Sequence, residues 1–208
     1  MKSKLKHFRT IRRLAAWFTL VLPITAGASA AGAHPHTFIT VKSTVLFAKG
    51  AIAGLHEEWT FDEFYSEDST DGLDTNKDGK VDRQELAALT KTNIDGLTEF
   101  NYFIEVKYGK QALKLTPPTN YFMEMKGKFL TLEFDIALEK PVEIRGFPFT
   151  FEVADTSIFI AFPVAEKDPV RLGDGAPLGC KATLPVPASE DEKWQSQLSS
   201  PVTITCAE

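Results

Sequence analysis

The chain has 208 residues, with 23 Lys and Arg against 28 Asp and Glu and only two cysteines. All the acids lie beyond residue 33 and six of the bases before it, so residues 34–208 carry 17 bases against 28 acids, a net charge of −11. So acidic a body argues against nucleic acid and anionic membrane as partners, and its 175 residues suit one domain with room for an insertion.

Residues 1–33 read as a secretory signal peptide. Lys2, Lys4, Lys6, Arg9, Arg12 and Arg13 form a basic head. Leu14 to Ala28 is apolar apart from Thr19, Pro23, Thr25 and Gly27, and small residues follow. A basic head, a short apolar core and an A-x-A site define such a signal. The apolar run is too short to span a bilayer easily, and Pro23 interrupts it, so no stable membrane insertion is expected after cleavage. Cleavage falls after Ala30 or Ala33, and the expected location is the periplasm. In that oxidising compartment Cys180 and Cys206 are expected to form one disulfide.

Residues 34–208 are expected to form a single β-rich domain of the α+β class, mainly antiparallel. The chain opens with a hairpin. Ile39, Val41, Val45 and Phe47 alternate on one face of its first strand, and Ala53, Leu55, Trp59 and Phe61 on one face of its second. Pairing Phe47 with Ala53 sets Val45 opposite Leu55, Val41 opposite Trp59 and Ile39 opposite Phe61. It also sets the two polar exceptions, Ser43 and Glu57, opposite each other. One register that sorts both strands is good support for the pairing. The turn falls around Ala48-Lys49-Gly50-Ala51.

After Phe61 the pattern breaks, and an insertion is expected at about residues 62–100. Asp62 to Asp71 is acidic and polar, and Asp68 to Leu73 is a poor helix former. Asp74-Thr75-Asn76-Lys77-Asp78-Gly79-Lys80-Val81-Asp82-Arg83-Gln84-Glu85 then fits the twelve-residue EF-hand loop throughout. Calcium is hard and takes six to eight oxygens. Asp74, Asn76 and Asp78 occupy positions 1, 3 and 5. Lys80 at position 7 would give its carbonyl oxygen, Asp82 at position 9 would bind directly or through water, and Glu85 at position 12 would supply two oxygens. Gly79 at position 6 permits the sharp turn. No second loop is present to pair with it, so a structural site of about 10⁻⁴ to 10⁻³ M affinity is expected. Asp82 and Glu85 also make a capping-box pair, and Leu86, Leu89, Leu97 and Phe100 recur at helical spacing.

From Tyr102 the pattern is β again. Runs at 102–108, 111–115, 121–125, 129–138, 143–153 and 157–162 are separated by turn residues, which predicts a sandwich or small barrel. Residues 163–178 and 185–200 read as loops.

The hairpin register also sorts the histidines. It sets His56 opposite Thr44, eight residues from His36 and about 26 Å away along a strand, so His34, His36 and His56 cannot share an ion. It sets Asp62 opposite Phe38, near His36. His34 and His36, with Asp62 as a candidate third ligand, form a candidate transition-metal site, because imidazole suits zinc, nickel, cobalt and copper. No nucleophile elbow, zincin motif or P-loop occurs, and no enzyme is expected.

The stretches Ala33-His34-Pro35-His36-Thr37-Phe38-Ile39, His56 to Phe64, Gly72 to Gly79 and Phe151-Glu152-Val153-Ala154-Asp155 together resemble a family of bacterial exported proteins catalogued as domain of unknown function 1007. Members are sometimes labelled a periplasmic component of an ABC-type transport system and are associated with nickel, cobalt or zinc transporters. The resemblance implies a calcium-binding accessory in transition-metal handling, partnered by a membrane metal transporter. The rival expectation is a calcium-stabilised β domain for protein–protein interaction, without a transition metal.

Overall fold

The structure, a computed structural model, describes residues 35–157 and 159–207. The expected signal peptide and His34 lie outside the described residues. The elements in order are β1 (Thr37–Ala48), β2 (Ala51–Phe61), α1 (Glu63–Thr70), α2 (Ala87–Leu97), a 3₁₀ segment (Thr98–Phe103), β3 (Ile104–Tyr108), β4 (Gln111–Ala112), β5 (Thr119–Lys126), β6 (Phe129–Val142), β7 (Phe149–Val153), β8 (Ile160–Ala161), β9 (Val170–Leu172), β10 (Cys180–Thr183), α3 (Glu190–Leu198) and β11 (Val202–Cys206).

The strands form two sheets. One runs β5-β6-β2-β1-β8 with β9 also on β1, and the other runs β10-β11-β7-β3-β4. Both contribute to one hydrophobic core, which includes Trp59, Leu132 and Phe134 from the first and Ile104, Phe149 and Ile204 from the second. Neither sheet closes on itself as a barrel. Most pairings are antiparallel as expected, but β8 and β9 lie parallel to β1. Residues 163–178, read as loop, therefore contain a short strand. Residues 185–200, also read as loop, contain α3, whose N-cap Ser189 accepts from the Glu192 amide. Residues 143–148 lie outside β7, and Phe147 among them is 62% exposed.

The hairpin holds the expected register from Ile39↔Phe61 through Ser43↔Glu57 to Val45↔Leu55. Its turn is Lys49-Gly50, both left-handed (φ 52° and 81°), the geometry that matches the twist of paired strands. One pairing differs. Phe47 faces Ile52, not Ala53, because the register shifts there. The bulge turns Ile52 inward, where it is 0% exposed, so the larger apolar side chain takes the core position. Gly54 follows the bulge. A Cβ there would lie 2.4 Å from the Ile136 carbonyl oxygen on β6, so only glycine lets β2 and β6 approach this closely.

The insertion between β2 and β3 spans 62–103 and begins with a helix that the sequence reading missed. Asp62 caps α1, its Oδ1 accepting from the Tyr65 amide at 2.8 Å. The Tyr65 ring stacks on Phe61 at 4.5 Å. Ser66, wholly buried, donates to the Asp62 carbonyl and accepts from the Leu130 amide. These tertiary anchors offset poor intrinsic propensity. In α2 the inward stripe is Leu86, Thr90 and Ile94, at i, i+4 and i+8. Phe100, expected to continue the stripe, is 53% exposed. The reason is local: α2 ends at Leu97, Phe100 lies in the 3₁₀ segment after it, and Asn101, Tyr102 and Phe103 all have positive φ (49°, 57° and 54°), which re-aims the chain into β3. Each such residue costs about 1–2 kcal/mol, offset here by burial of Tyr102 and by the bond from Asn101 Nδ2 to the Ile104 carbonyl.

Cys180 and Cys206 face each other across β10 and β11 and form the expected disulfide. Among the described residues no helix is long and apolar enough to cross a membrane.

Candidate functional site: the 74–85 loop

The loop hangs between α1 and α2 and is wound by its own side chains. Asp74 Oδ2 accepts from the Gly79 amide at 3.0 Å and Oδ1 from the Asp78 amide at 3.2 Å. Asn76 Oδ1 also accepts from the Asp78 amide, and Asp78 Oδ1 from the Lys80 amide. Three oxygen side chains at alternate positions thus turn toward amides of the loop's own backbone. Left-handed residues sit at positions 4 and 6, Lys77 (φ 61°) and Gly79 (φ 83°). Gly79 takes this conformation without the steric cost any other residue would meet.

The exit of the loop carries the predicted capping box. Asp82 Oδ1 accepts from the Gln84 and Glu85 amides, and Glu85 Oε2 reaches back to the Asp82 amide at 3.1 Å. Regular helix begins later, at Ala87, with the box closing a preliminary turn. Glu85 Oε1 accepts from the Thr75 and Asn76 amides and the Thr75 hydroxyl. The Asp82 amide and Thr75 hydroxyl hold its pKa below the ordinary carboxylate range, so it stays ionised. Each carboxylate has about four lone-pair sites, so Asp74, Asp78 and Asp82 keep acceptor capacity beside their amide donors, whereas Glu85 already accepts from four donors and would exchange some of them for an ion.

The loop is seated on the first sheet. Val81 packs against the core, and Met125 and Gly127 share a depression with Asp74, Gly79 and Asp82. The Arg83 guanidinium lies over the Phe122 ring, 3.6 Å from its centroid, and pairs with Glu124. Among the described residues, the loop included, no three His, Cys, Asp or Glu side chains are gathered into a ready-made metal centre.

The histidine end is organised differently. The register brings Asp62 beside the start of β1, its Oδ2 accepting from the Phe38 amide at 2.9 Å. Both Asp62 oxygens therefore already hold amide hydrogens. The His36 amide donates to the Phe159 carbonyl, and its ring stacks on Phe159 at 4.6 Å. His56 lies apart, as the register required, in a polar network with Asp135 (2.7 Å from Nδ1) and Glu133 (3.9 Å from Nε2).

Sequence reasoning noted Glu57 as an exception to an apolar face but gave it no role. It is 0% exposed within the core. Oε2 accepts from the Ser43 hydroxyl at 2.9 Å and from the Trp59 indole at 3.2 Å, and Oε1 has no partner. Desolvation pushes its pKa up to about 8, against the pull of those two donors. The signal was available in the sequence: an acid in phase with inward-facing residues, opposite a serine that can serve it.

Two relatives resemble the chain. An uncharacterized protein of Haemophilus influenzae is 28% identical over 169 residues, 81% of this chain and 80% of that protein. An uncharacterized 15.5 kDa protein in the trpE 3′ region of Spirochaeta aurantia is 26% identical over 99 residues, 48% of this chain and 70% of that one. The family described as protein of unknown function (DUF1007) matches residues 19–205, and the chain, its sheets, insertion and disulfide included, belongs to that family.

Proposed function

We propose that this is an exported, periplasmic calcium-binding protein in which residues 74–85 hold one calcium ion. The ion fastens the insertion to the sheets, and the domain serves as an interaction module. The observation that carries this reading is the winding of the loop. Asp74 accepts from the Gly79 amide, positions 4 and 6 are left-handed, and Asp82 and Glu85 cap each other. All six donors would be oxygens, from Asp74, Asn76, Asp78, the Lys80 carbonyl, Asp82 and Glu85, the set a hard cation takes. Calcium would draw these oxygens inward and offset the mutual repulsion of four carboxylates on one short loop. The test is calorimetric titration of chelator-treated protein, with wild type taking up one calcium per chain and Glu85→Ala none. Uptake by Glu85→Ala equal to wild type would reject the loop as the site.

The second reading is an accessory role in transition-metal handling through His34, His36 and Asp62, on behalf of a membrane metal transporter. One observation favours it: the Phe38–Asp62 hydrogen bond keeps a carboxylate beside the strand end that carries His36. Zinc and nickel titrations of correctly processed protein, compared with His34→Ala and His36→Ala, test it. Unchanged affinity in both variants would remove this end from consideration.

A further inference from the structure

Beyond the loop, α2 and the chain following β7 border an apolar groove of about 670 Å³, whose lining includes Tyr65, Leu89, Leu97, Phe103, Phe159 and Ile160. A second depression of about 630 Å³ adjoins it, and Glu99, Phe100, Phe103, Asp155 and Ser157 line both. Phe100 and Phe159 stand in this region 53% and 57% exposed, an expense of apolar surface that ordinary packing does not require. They are not loose. Phe100 stacks on Phe103 at 5.0 Å, Phe103 lies against the buried Phe162 at 5.4 Å, and Phe159 carries the stacked His36 ring. The strained left-handed run Asn101–Phe103 holds the Phe100 ridge out from the core, and strain of this kind gathers at ligand-binding sites.

The electrostatics are one-sided. The second depression adds Glu105 and Glu152, so the joined surface has four carboxylates and no Lys, Arg or His in its described lining. Glu105 pairs with Lys107 at 2.9 Å, and Glu152 accepts from the Ser199 hydroxyl. Glu99 has no ion-pair partner among the described residues. Burial alone would raise the Asp155 pKa, but hydrogen bonds from Ser157, Ile160 and Phe159 outweigh it and keep the group ionised. A second copy of this acidic chain would be repelled from such a face.

From this juxtaposition of a fixed aromatic ridge with Glu99 and Asp155, acids without an ion-pair partner among the described residues, we infer that the groove binds a peptide segment of a protein partner in which a large apolar side chain is followed closely by Lys or Arg. The apolar side chain packs beside Phe100 and Phe159, and the cation meets Glu99 and Asp155. Preorganisation of the ridge reduces the ordering cost of binding. The inference stands apart from calcium binding, and its readout is peptide affinity.

The experiment uses three fluorescein-labelled peptides, alternating Leu-Lys, Leu-Glu and Ser-Lys, titrated in calcium-containing buffer against the mature chain. The variants are Phe100→Ala, Glu99→Gln and, as a control on an exposed aromatic elsewhere, Phe147→Ala. Fluorescence anisotropy should show binding of the Leu-Lys peptide in preference to both others. Phe100→Ala should weaken it at least about tenfold. Glu99→Gln should weaken it about two- to fivefold and flatten its salt dependence. Phe147→Ala should leave it unchanged. Absence of binding, equal binding of the Leu-Glu peptide, or equal binding by Phe100→Ala would overturn the inference. So would a sedimenting dimer of the chain that is lost in Phe100→Ala, because the groove would then serve a second copy.

Discussion

Replacing Glu57 by Gln removes one titrating group from the core while keeping its shape. The amide oxygen can still accept from Ser43 and Trp59, and the amide nitrogen takes the place of an oxygen that had no partner. The wild-type carboxyl has a pKa of 4.5 as a free group and about 8 in the fold. Below 4.5 both folded and unfolded chains are protonated, and the group makes no pH-dependent difference. Between 4.5 and 8 the unfolded chain ionises while the native one keeps its proton, so stability falls as pH rises, by about 1.4 kcal/mol per unit. Above 8 the native group ionises too, and the fall stops. The interval amounts to roughly 3–5 kcal/mol, large beside a typical domain stability of about 5–15 kcal/mol. Urea unfolding of both proteins from pH 4 to 9, at constant calcium and with the disulfide intact, measures it. The unpartnered amide N–H groups add a fixed offset, and on top of it the stability of Glu57→Gln relative to wild type should rise by several kcal/mol between pH 4 and pH 8. The difference curve cancels every other titrating group that the substitution leaves alone. Parallel curves across that range would refute the reasoning, because they would mean that Glu57 titrates alike in the folded and unfolded chains.

Calcium at a hundredfold excess over its dissociation constant should stabilise the wild-type domain by about 2.7 kcal/mol, read as a rise in Tm over chelator-treated protein, and Glu85→Ala should lose that rise. Reducing the Cys180–Cys206 bond, which links residues 26 apart, should cost about 3 kcal/mol by chain entropy, and an unchanged urea midpoint after reduction would contradict this. Gly54→Ala should destabilise by about 1–3 kcal/mol through overpacking, since its Cβ would meet the Ile136 carbonyl; a neutral result would mean that β2 and β6 can separate freely. Asp62→Ala should cost about 1–2 kcal/mol through loss of the α1 cap and the Phe38 contact, measured by the same denaturation.

What was legible in the sequence was whatever repeats. The β1–β2 register followed from two alternating faces whose exceptions matched, because a one-residue slip would have sent every apolar side chain to the wrong side. The single misplacement, Phe47, came from a bulge, and a bulge leaves the alternation intact on both sides of it. The 74–85 segment was legible because its glycine and oxygen side chains occur at the spacing its winding needs. Elements held by tertiary contact were not legible. Helix α1 is acidic and poor in helix formers, and it exists because Asp62 caps it and Ser66 is tied to β6. Strands β8 and β9 are two and three residues long, too short to show alternation, and they pair with β1 from distant positions. The groove was illegible for the same reason. Phe100 carries the right spacing for α2, but it falls in the 3₁₀ segment after Leu97, where the chain turns away at the left-handed residues Asn101–Phe103.

These features divide the labour of the molecule. The two sheets share one core, and the disulfide ties β10 to β11 within the second of them, so together they form the seat. The 62–103 insertion contains Asp62, the loop and the Phe100 ridge, and it is fastened to that seat at Ser66, Arg83, Leu86 and Ile94. Helix α2 joins two of the candidate sites directly. Asp82 and Glu85 close the turn that leads into it, and its own residues Leu89 and Leu97 line the groove. Were the loop to hold the proposed ion, ordering it would bear on the start of the helix that forms the groove wall. Any free energy gained by ordering α2 at one end lowers the ordering cost of binding at the other, and the linkage must be reciprocal. If both proposals hold, this linkage would be read as a difference in Leu-Lys peptide affinity between calcium-loaded and chelator-treated protein, and equal affinities would refute it.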